Sequence, residues 1–351
     1  MSDAARSTKL SRIITITFLV FGLVLVSLES AARYFDYPQP YSALFAYDVK
    51  LGYRSPANTR VIFQTGEHTH AVVFDNDGIA DRAGNKDAEI AILGDGVIAG
   101  LELPPQDRIA NQLSRLNDGV GVINLSVTGY GTIQQALLLE EWLESGKIKP
   151  KAVFLVFNLA NDFIDDIREW DGSTVPNVSL SDQSNKILPP ILPPLYYRIF
   201  AKIWRKSAVA GFIPIHSIHS AVLLPPSPSR LPYLIEELQT NDLPRGLAGT
   251  KIGFEQLKIL STRYGFKLYA TIWKDPRELE LLDNSSISKL ESNVKIISSS
   301  IHWIESDFFN RITTNEKFDA HYLTDGTRHA NAVATKGLSE NFTLIITKAF
   351  R

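Results

Sequence analysis

Two short stretches of this chain raise the question of chemistry. In 89-EIAILGDGVIAG-100 an apolar run stops at Gly94-Asp95, and a helix is expected to begin after Pro105. Gly96 stands between them, where a strand-to-helix nucleophile would be sought. Nucleophilic catalysis needs an attacking atom, and glycine has no side chain to supply one. The second stretch is 325-DGTRHAN-331. If it opens a helix, Arg328 at i+3 and His329 at i+4 both lie beside Asp325. A histidine there can exchange a proton near neutrality, whereas a guanidinium keeps its own. Ser126 and Thr128 read as turn hydroxyls rather than as substitute nucleophiles.

The elements that must position these residues follow from periodicity. Near-continuous apolar runs at 88–93, 120–126, 151–158 and 266–273 suit strands buried on both faces of a parallel sheet. Helical candidates fall between them at 105–116, 132–145 and 250–263. Strands alternating with helices predict an α/β domain with a doubly wound, mostly parallel sheet over 88–351. Ligands of such sheets bind at the carboxyl ends of the strands. Residues 36–87, with alternating patches at 60–64 and 69–75, read as a β-rich lead-in. A Pro- and Ser-rich segment at about 171–248 interrupts the rhythm and reads as an insertion. Within it, Tyr196 to Lys206 could form a short amphipathic helix, either packed on the core or lying on a membrane surface.

Four pieces occur in order, 93-LGDG-96, 124-NLSVTGYGT-132, 158-NLAND-162 and 325-DGTRHAN-331. On these the chain resembles the SGNH (GDSL-type) hydrolase family, especially its membrane-anchored bacterial esterase-like and acyltransferase-like members. The resemblance spans roughly residues 70 to 348 and implies a flavodoxin-like α/β fold. It places the family's nucleophilic serine at Gly96. It makes Gly129 and Asn161 the oxyanion donors, with Asp325 and His329 as the carboxylate and base. Asp95 and Asp162 become supporting residues. The family spacing, Asp-x-x-His, puts Arg328 in the histidine's place and His329 one residue later. Backbone N–H groups at residue 96 and Gly129, with the Asn161 amide, would survive loss of the serine. They could still hold an anion, a carbonyl oxygen or a water.

Other signals set the context. Residues 1–12 carry Arg6, Lys9 and Arg12 ahead of the uncharged run 13-IITITFLVFGLVLVSL-28. As a helix that run is about 24 Å long, a little under the ~30 Å hydrocarbon core. The expectation is a membrane anchor over 13–30, with a cleaved signal peptide as the alternative. The basic flank places the N-terminus in the cytoplasm and the main domain outside it, in the periplasm. The 351 residues hold no cysteine, which excludes disulfides and thiolate metal sites. A net charge of −2 without a basic stripe gives no reason to expect nucleic acid. His68 and His70 form an HxH pair without a third ligand. His216 and His219 lie in the insertion without acidic or cysteine partners nearby in sequence. His321, close to Asp319 and the last stretch, reads as a surface or packing residue, with a substitute base as the alternative. No metal and no cofactor is expected. GxGxxG and GxxxxGK[ST] are both absent, so nucleotide binding is not supported.

The expected function is a catalytically inactive, membrane-anchored binding or assembly subunit. Its partners would be the bilayer through 13–28, a membrane-protein complex, or an acylated glycan or lipid ligand. Two alternatives stay open: an active extracytoplasmic esterase or O-acyltransferase, and a structural subunit of a larger membrane complex.

Overall fold

A computed structural model describes residues 3–39, 41–64, 69–84, 87–160, 162–166, 245–274, 284–304 and 331–350, with a few positions between 179 and 207. The apolar runs form the central strands β6 (Ile90–Leu93), β7 (Val122–Asn124), β8 (Ala152–Asn158) and β11 (Lys267–Trp273). The short strands β5 (Arg82–Ala83) and β12 (His302–Trp303) close the edges. The six run in the order β12-β11-β8-β6-β7-β5, all parallel except β5, which is antiparallel to β7. Numbered among themselves, the five parallel strands have the order 2-1-3-4-5 of flavodoxin-like sheets. The fold is therefore α/β and doubly wound, as the sequence predicts.

Strands β6, β7 and β8 are buried on both faces along their whole length, which explains their largely apolar composition. Along β8, Ala152, Phe154 and Val156 face one layer, with Ile109, Leu113 and Phe342. Val153, Leu155 and Phe157 face the other, with Leu139, Trp142, Phe254 and Leu257. The first layer is built by α3 (Ile109–Leu116) and the C-terminal α8 (Ala332–Phe350), and the second by α4 (Thr132–Glu144) and α6 (Arg245–Tyr264). A further helix, α7 (Asn284–Ile297), adds Leu290 and Val294 to the second layer.

The predicted helix over 105–116 is divided. Pro105–Asp107 is a 3₁₀ turn, and Arg108 is extended (φ −74°, ψ 155°) before α3 begins. The buried Arg108 guanidinium explains the break. It donates to the carbonyls of Gly100, Leu103 and Ala80 at 2.9–3.2 Å, tying the incoming loop to the domain. Asp81 then accepts from Ala110 N–H (3.0 Å) and does the capping. The helix predicted from 250 starts earlier, at Arg245.

Before the sheet lie two antiparallel hairpins, β1 (Ala46–Asp48) with β2 (Gly52–Arg54), and β3 (Thr59–Gln64) with β4 (Thr69–Phe74). Arg54 pairs with Asp48 (2.7 Å) and with Glu141 of α4 (2.9 Å), fastening the first hairpin to the domain. Of the segment at 171–248, the described parts are a two-residue ladder of β9 (Ser179–Leu180) with β10 (Ile187–Leu188), the start of α6, and helical positions 195, 199, 202 and 206.

Helix α1 (Asp3–Tyr34) is a single element of 32 residues. The span Leu10–Tyr34, 25 residues, contains an 18-residue stretch of mean hydropathy 2.2 with none of it buried, and holds Arg12, Glu29 and Arg33 near its ends. At 1.5 Å per residue the 25 residues span about 37 Å, more than the ~30 Å hydrocarbon core, with the uncharged run 13–28 at their centre. A helix of this length and apolarity could cross a membrane, and a signal sequence has the same layout.

Candidate functional site

In a 2-1-3-4-5 sheet, the crevice opens where the strand order reverses, between the first and third parallel strands. Here those are β6 and β8. The loop after β6 carries Gly94, Asp95 and Gly96, and the loop after β8 carries Asn158 to Asp162. Two of the predicted stretches thus meet at the switch point, and the third, after β7, lies beside them.

Gly96 is the first residue of a four-residue helical turn, α2 (Gly96–Ala99). Asp95 caps it, its Oδ1 accepting from Val97 N–H at 3.0 Å. Gly100 ends it in the left-handed region (φ 59°), which glycine adopts without steric cost. Gly96 itself is not at positive φ, so the backbone there does not demand glycine. Gly94 is different. A Cβ on it would stand 2.9 Å from Ile98 Cβ and 3.3 Å from Ser126 Oγ, so bare backbone is needed for the turn to fold back on the strand.

Two asparagines, each the last residue of a strand, clamp this turn. Asn158 donates through Nδ2 to Asp95 Oδ2 (3.0 Å), and its Oδ1 accepts from Ala160 N–H (3.1 Å). Asn124 donates through Nδ2 to Ile98 O (2.8 Å) and to Asp81 Oδ2 (3.2 Å), and its Oδ1 accepts from Ser126 N–H (3.0 Å). Each amide therefore folds its own loop and holds α2 at the same time. Asp162 opens α5 (Asp162–Asp165), and its Oδ2 accepts from Asn158 N–H at 3.0 Å. Burial, and secondly the neighbouring Asp95, push the Asp162 carboxyl well above the usual carboxylate range. Its Oδ1 is buried and has no hydrogen-bond partner among the described residues.

Gly129 is at φ +79°, and a Cβ there would lie 2.9 Å from Tyr53 Oη. The Tyr53 hydroxyl donates to Thr128 O (2.7 Å), and Tyr130 Oη donates to Tyr53 O. The second stretch is thereby held against the first hairpin. The Ser126 and Thr128 hydroxyls are buried and have no partner among the described residues, so neither is joined to a base there. A cavity of about 30 Å³, lined by Asp81, Asn124, Ser126, Leu138 and Trp142 among others, has room for a water beside Ser126.

The structure thus brings Asp95, Gly96 and Asp162 together and sets Gly129 in the adjoining loop. Asn161, Asp325, Arg328 and His329 lie outside the described residues, as do His68, His216, His219 and His321. Asn331, next to the last stretch, caps α8 by accepting from Val333 and Ala334 N–H (2.9 and 3.2 Å). His70 Nε2–H donates to Leu101 O at 2.9 Å, a structural contact. Sequence reasoning missed Asn124, Asn158, Asp81 and Asp166. A signal for the first two was present, because Asn-Leu closes two apolar runs in the same way, at 124–125 and 158–159.

No protein-family model and no curated protein matches the chain. Among solved structures it is similar to TesA (13% identity, 74% of this chain and 98% of that one, TM-score 0.40). It is also similar to the psychrotrophic esterase EstA from Pseudoalteromonas sp. (14%, 75% and 98%, 0.39). A third is a GDSL-like lipase from Bacteroides thetaiotaomicron (11%, 74% and 88%, 0.37).

Proposed function

We propose that this chain is a membrane-anchored, catalytically inactive hydrolase-like protein. Helix α1 holds it in the bilayer with the N-terminus cytoplasmic. Its strand-end crevice binds an ester-bearing ligand, an acylated glycan or lipid, or a partner within a membrane complex. One observation carries the reading: at the switch point, the residue capped by Asp95 and clamped by Asn158 is Gly96. Asp95 and Asn158 hold the turn that would aim a nucleophile, and the residue at that place has no attacking atom. Loss of a catalytic serine from an otherwise intact site costs about 10⁶ in rate by subtilisin precedent. The Gly96 N–H has no acceptor among the described residues and remains a donor for a ligand oxygen.

A second reading is an esterase or O-acyltransferase in which glycine has replaced an active serine. It is favoured by the ordinary backbone at Gly96, which a serine could adopt unchanged. The test is an esterase assay with short-chain activated esters, on the purified chain and on Gly96→Ser side by side. The expected result is background turnover for the original chain. A gain of several orders of magnitude in the serine variant would support the second reading's intact base. Turnover well above background in the original chain would overturn the first.

A further inference from the structure

A second cavity lies away from the crevice. It has a volume of about 540 Å³ and lies where α1 leaves its apolar stretch, lined by Arg33, Asp36, Tyr37, Arg60 and Lys206 among others. The helix end is docked there on the β3–β4 hairpin. Gln39 N–H donates to Ile62 O (2.9 Å), Ile62 N–H donates back to Gln39 Oε1 (3.2 Å), and Arg60 pairs with Asp36 (3.1 Å). Arg33 pairs with Glu29 (2.7 Å) and donates to Lys206 O, while Ser207 Oγ donates to Glu29 (2.8 Å). Arg33, Arg60 and Lys206 therefore line the cavity with the carboxylate of Asp36, while Glu29 pairs with Arg33, and the Lys206 ammonium has no carboxylate partner among the described residues.

We propose that this cavity binds the headgroup phosphate of an anionic phospholipid. The proposal rests on the anchor reading of α1. Depth selects a lipid over a free phosphate: the cavity sits at the last turn of the apolar helix, where a bilayer presents its phosphates. Tyr34 and Phe35, 83% and 75% exposed, flank it as interfacial aromatics do. The Lys206 ammonium meets the phosphate, and the exposed edges of Arg33 and Arg60 provide further N–H donors without giving up their carboxylates. The bound lipid would fix the tilt and rotation of the domain over the membrane.

The test uses the full chain in nanodiscs of phosphatidylcholine with a minor fraction of phosphatidylglycerol, followed by detergent extraction and native mass spectrometry. One phosphatidylglycerol should stay bound in preference to phosphatidylcholine and should survive an excess of inorganic phosphate. Arg60→Gln with Lys206→Gln should lower its retention by about 25-fold, roughly fivefold per cation. Arg60→Lys with Lys206→Arg should restore most of it, and Arg6, Lys9 and Arg12→Gln at the opposite end should not change it. Circular dichroism checks that each variant is folded. Equal retention of the two lipids, unchanged retention in the double glutamine variant, or displacement by inorganic phosphate would overturn the site. The intact mass separates this from the premise: a chain lacking residues of α1 sinks the anchor, and a full-length chain without lipid sinks only the site.

Discussion

Asn158 Nδ2 lies 3.0 Å from Asp95 Oδ2, a hydrogen bond that joins the end of β8 to the cap of the turn bearing Gly96. Both residues are buried, 2% and 3% exposed, so water does not replace either partner when the other is removed. Asn158→Ala leaves a buried carboxylate oxygen short of a donor and loses the turn closed on Ala160 N–H. The expected loss is about 3 kcal/mol, since an orphaned buried group costs more than a hydrogen bond is worth. Asn124→Ala should cost less, about 1–2 kcal/mol, because Asp81 keeps its bonds from Ala110 N–H and Asn111 Nδ2. Urea unfolding of the detergent-solubilised chain measures both. An Asn158 variant as stable as the parent would show that the clamp does not hold the turn.

Gly129 and Tyr53 form a second coupled pair. At φ +79°, alanine pays about 1–2 kcal/mol for the left-handed backbone, and its Cβ also meets Tyr53 Oη at 2.9 Å. Tyr53→Phe alone removes the donor to Thr128 O, at a cost of about 1 kcal/mol. The double variant escapes the steric contact but keeps the backbone strain. Its destabilisation should fall short of the summed single losses by roughly 0.5–1 kcal/mol or more, as for residues in contact. Strict additivity in thermal or urea unfolding would mean that the loop shifts away from Tyr53.

What was legible in the sequence divides along a physical line. The central strands β6, β7 and β8 could be read because double burial leaves their composition little choice, and β11 because five of its seven residues are buried. The stretches at 93–96, 124–132 and 158–162 could be placed at strand ends for the same reason. The interior polar network was not legible. Asp81 serves α3 and Asn124, residues far apart in the chain, and nothing near Asp81 announces either partner. The division at Arg108 depends likewise on carbonyls from two other loops. Gly96 was legible as a missing side chain, but only the backbone told that glycine is not conformationally required there.

Asp166 makes the most direct pH prediction. Its Oδ1 accepts from Ile133 N–H at the start of α4 (2.8 Å), and its Oδ2 accepts from Thr250 Oγ of α6 (2.8 Å). Glycine makes this possible, since a Cβ on Gly131 or Gly249 would come within 2.5 or 2.8 Å of Asp166. Burial raises the carboxyl to about 7, more than its hydrogen bonds, that from Ile133 N–H first, lower it. A folded-state value above the unfolded one means that the native state binds the extra proton. Stability therefore falls as pH rises from about 4, the unfolded value, to about 7, and is flat above it. Three units correspond to about 4 kcal/mol, as an order of magnitude. Asp162 contributes with the same sign. Glu141, held low by the Arg54 hydrogen bond, has the opposite one and loses stability as pH falls. Asp166→Asn isolates the effect. The amide oxygen still accepts from Ile133 N–H, and the amide nitrogen can donate to Thr250 Oγ. Subtracting the variant's unfolding free energy from the parent's cancels the titrations of groups not coupled to Asp166, and the coupled Asp162 adds a contribution of the same sign. The difference should decline steadily between pH 4 and 7, leaving the asparagine variant relatively most favoured near pH 8. A difference constant over that range would mean that Asp166 is ionised in the fold and that the α4–α6 contact carries no proton.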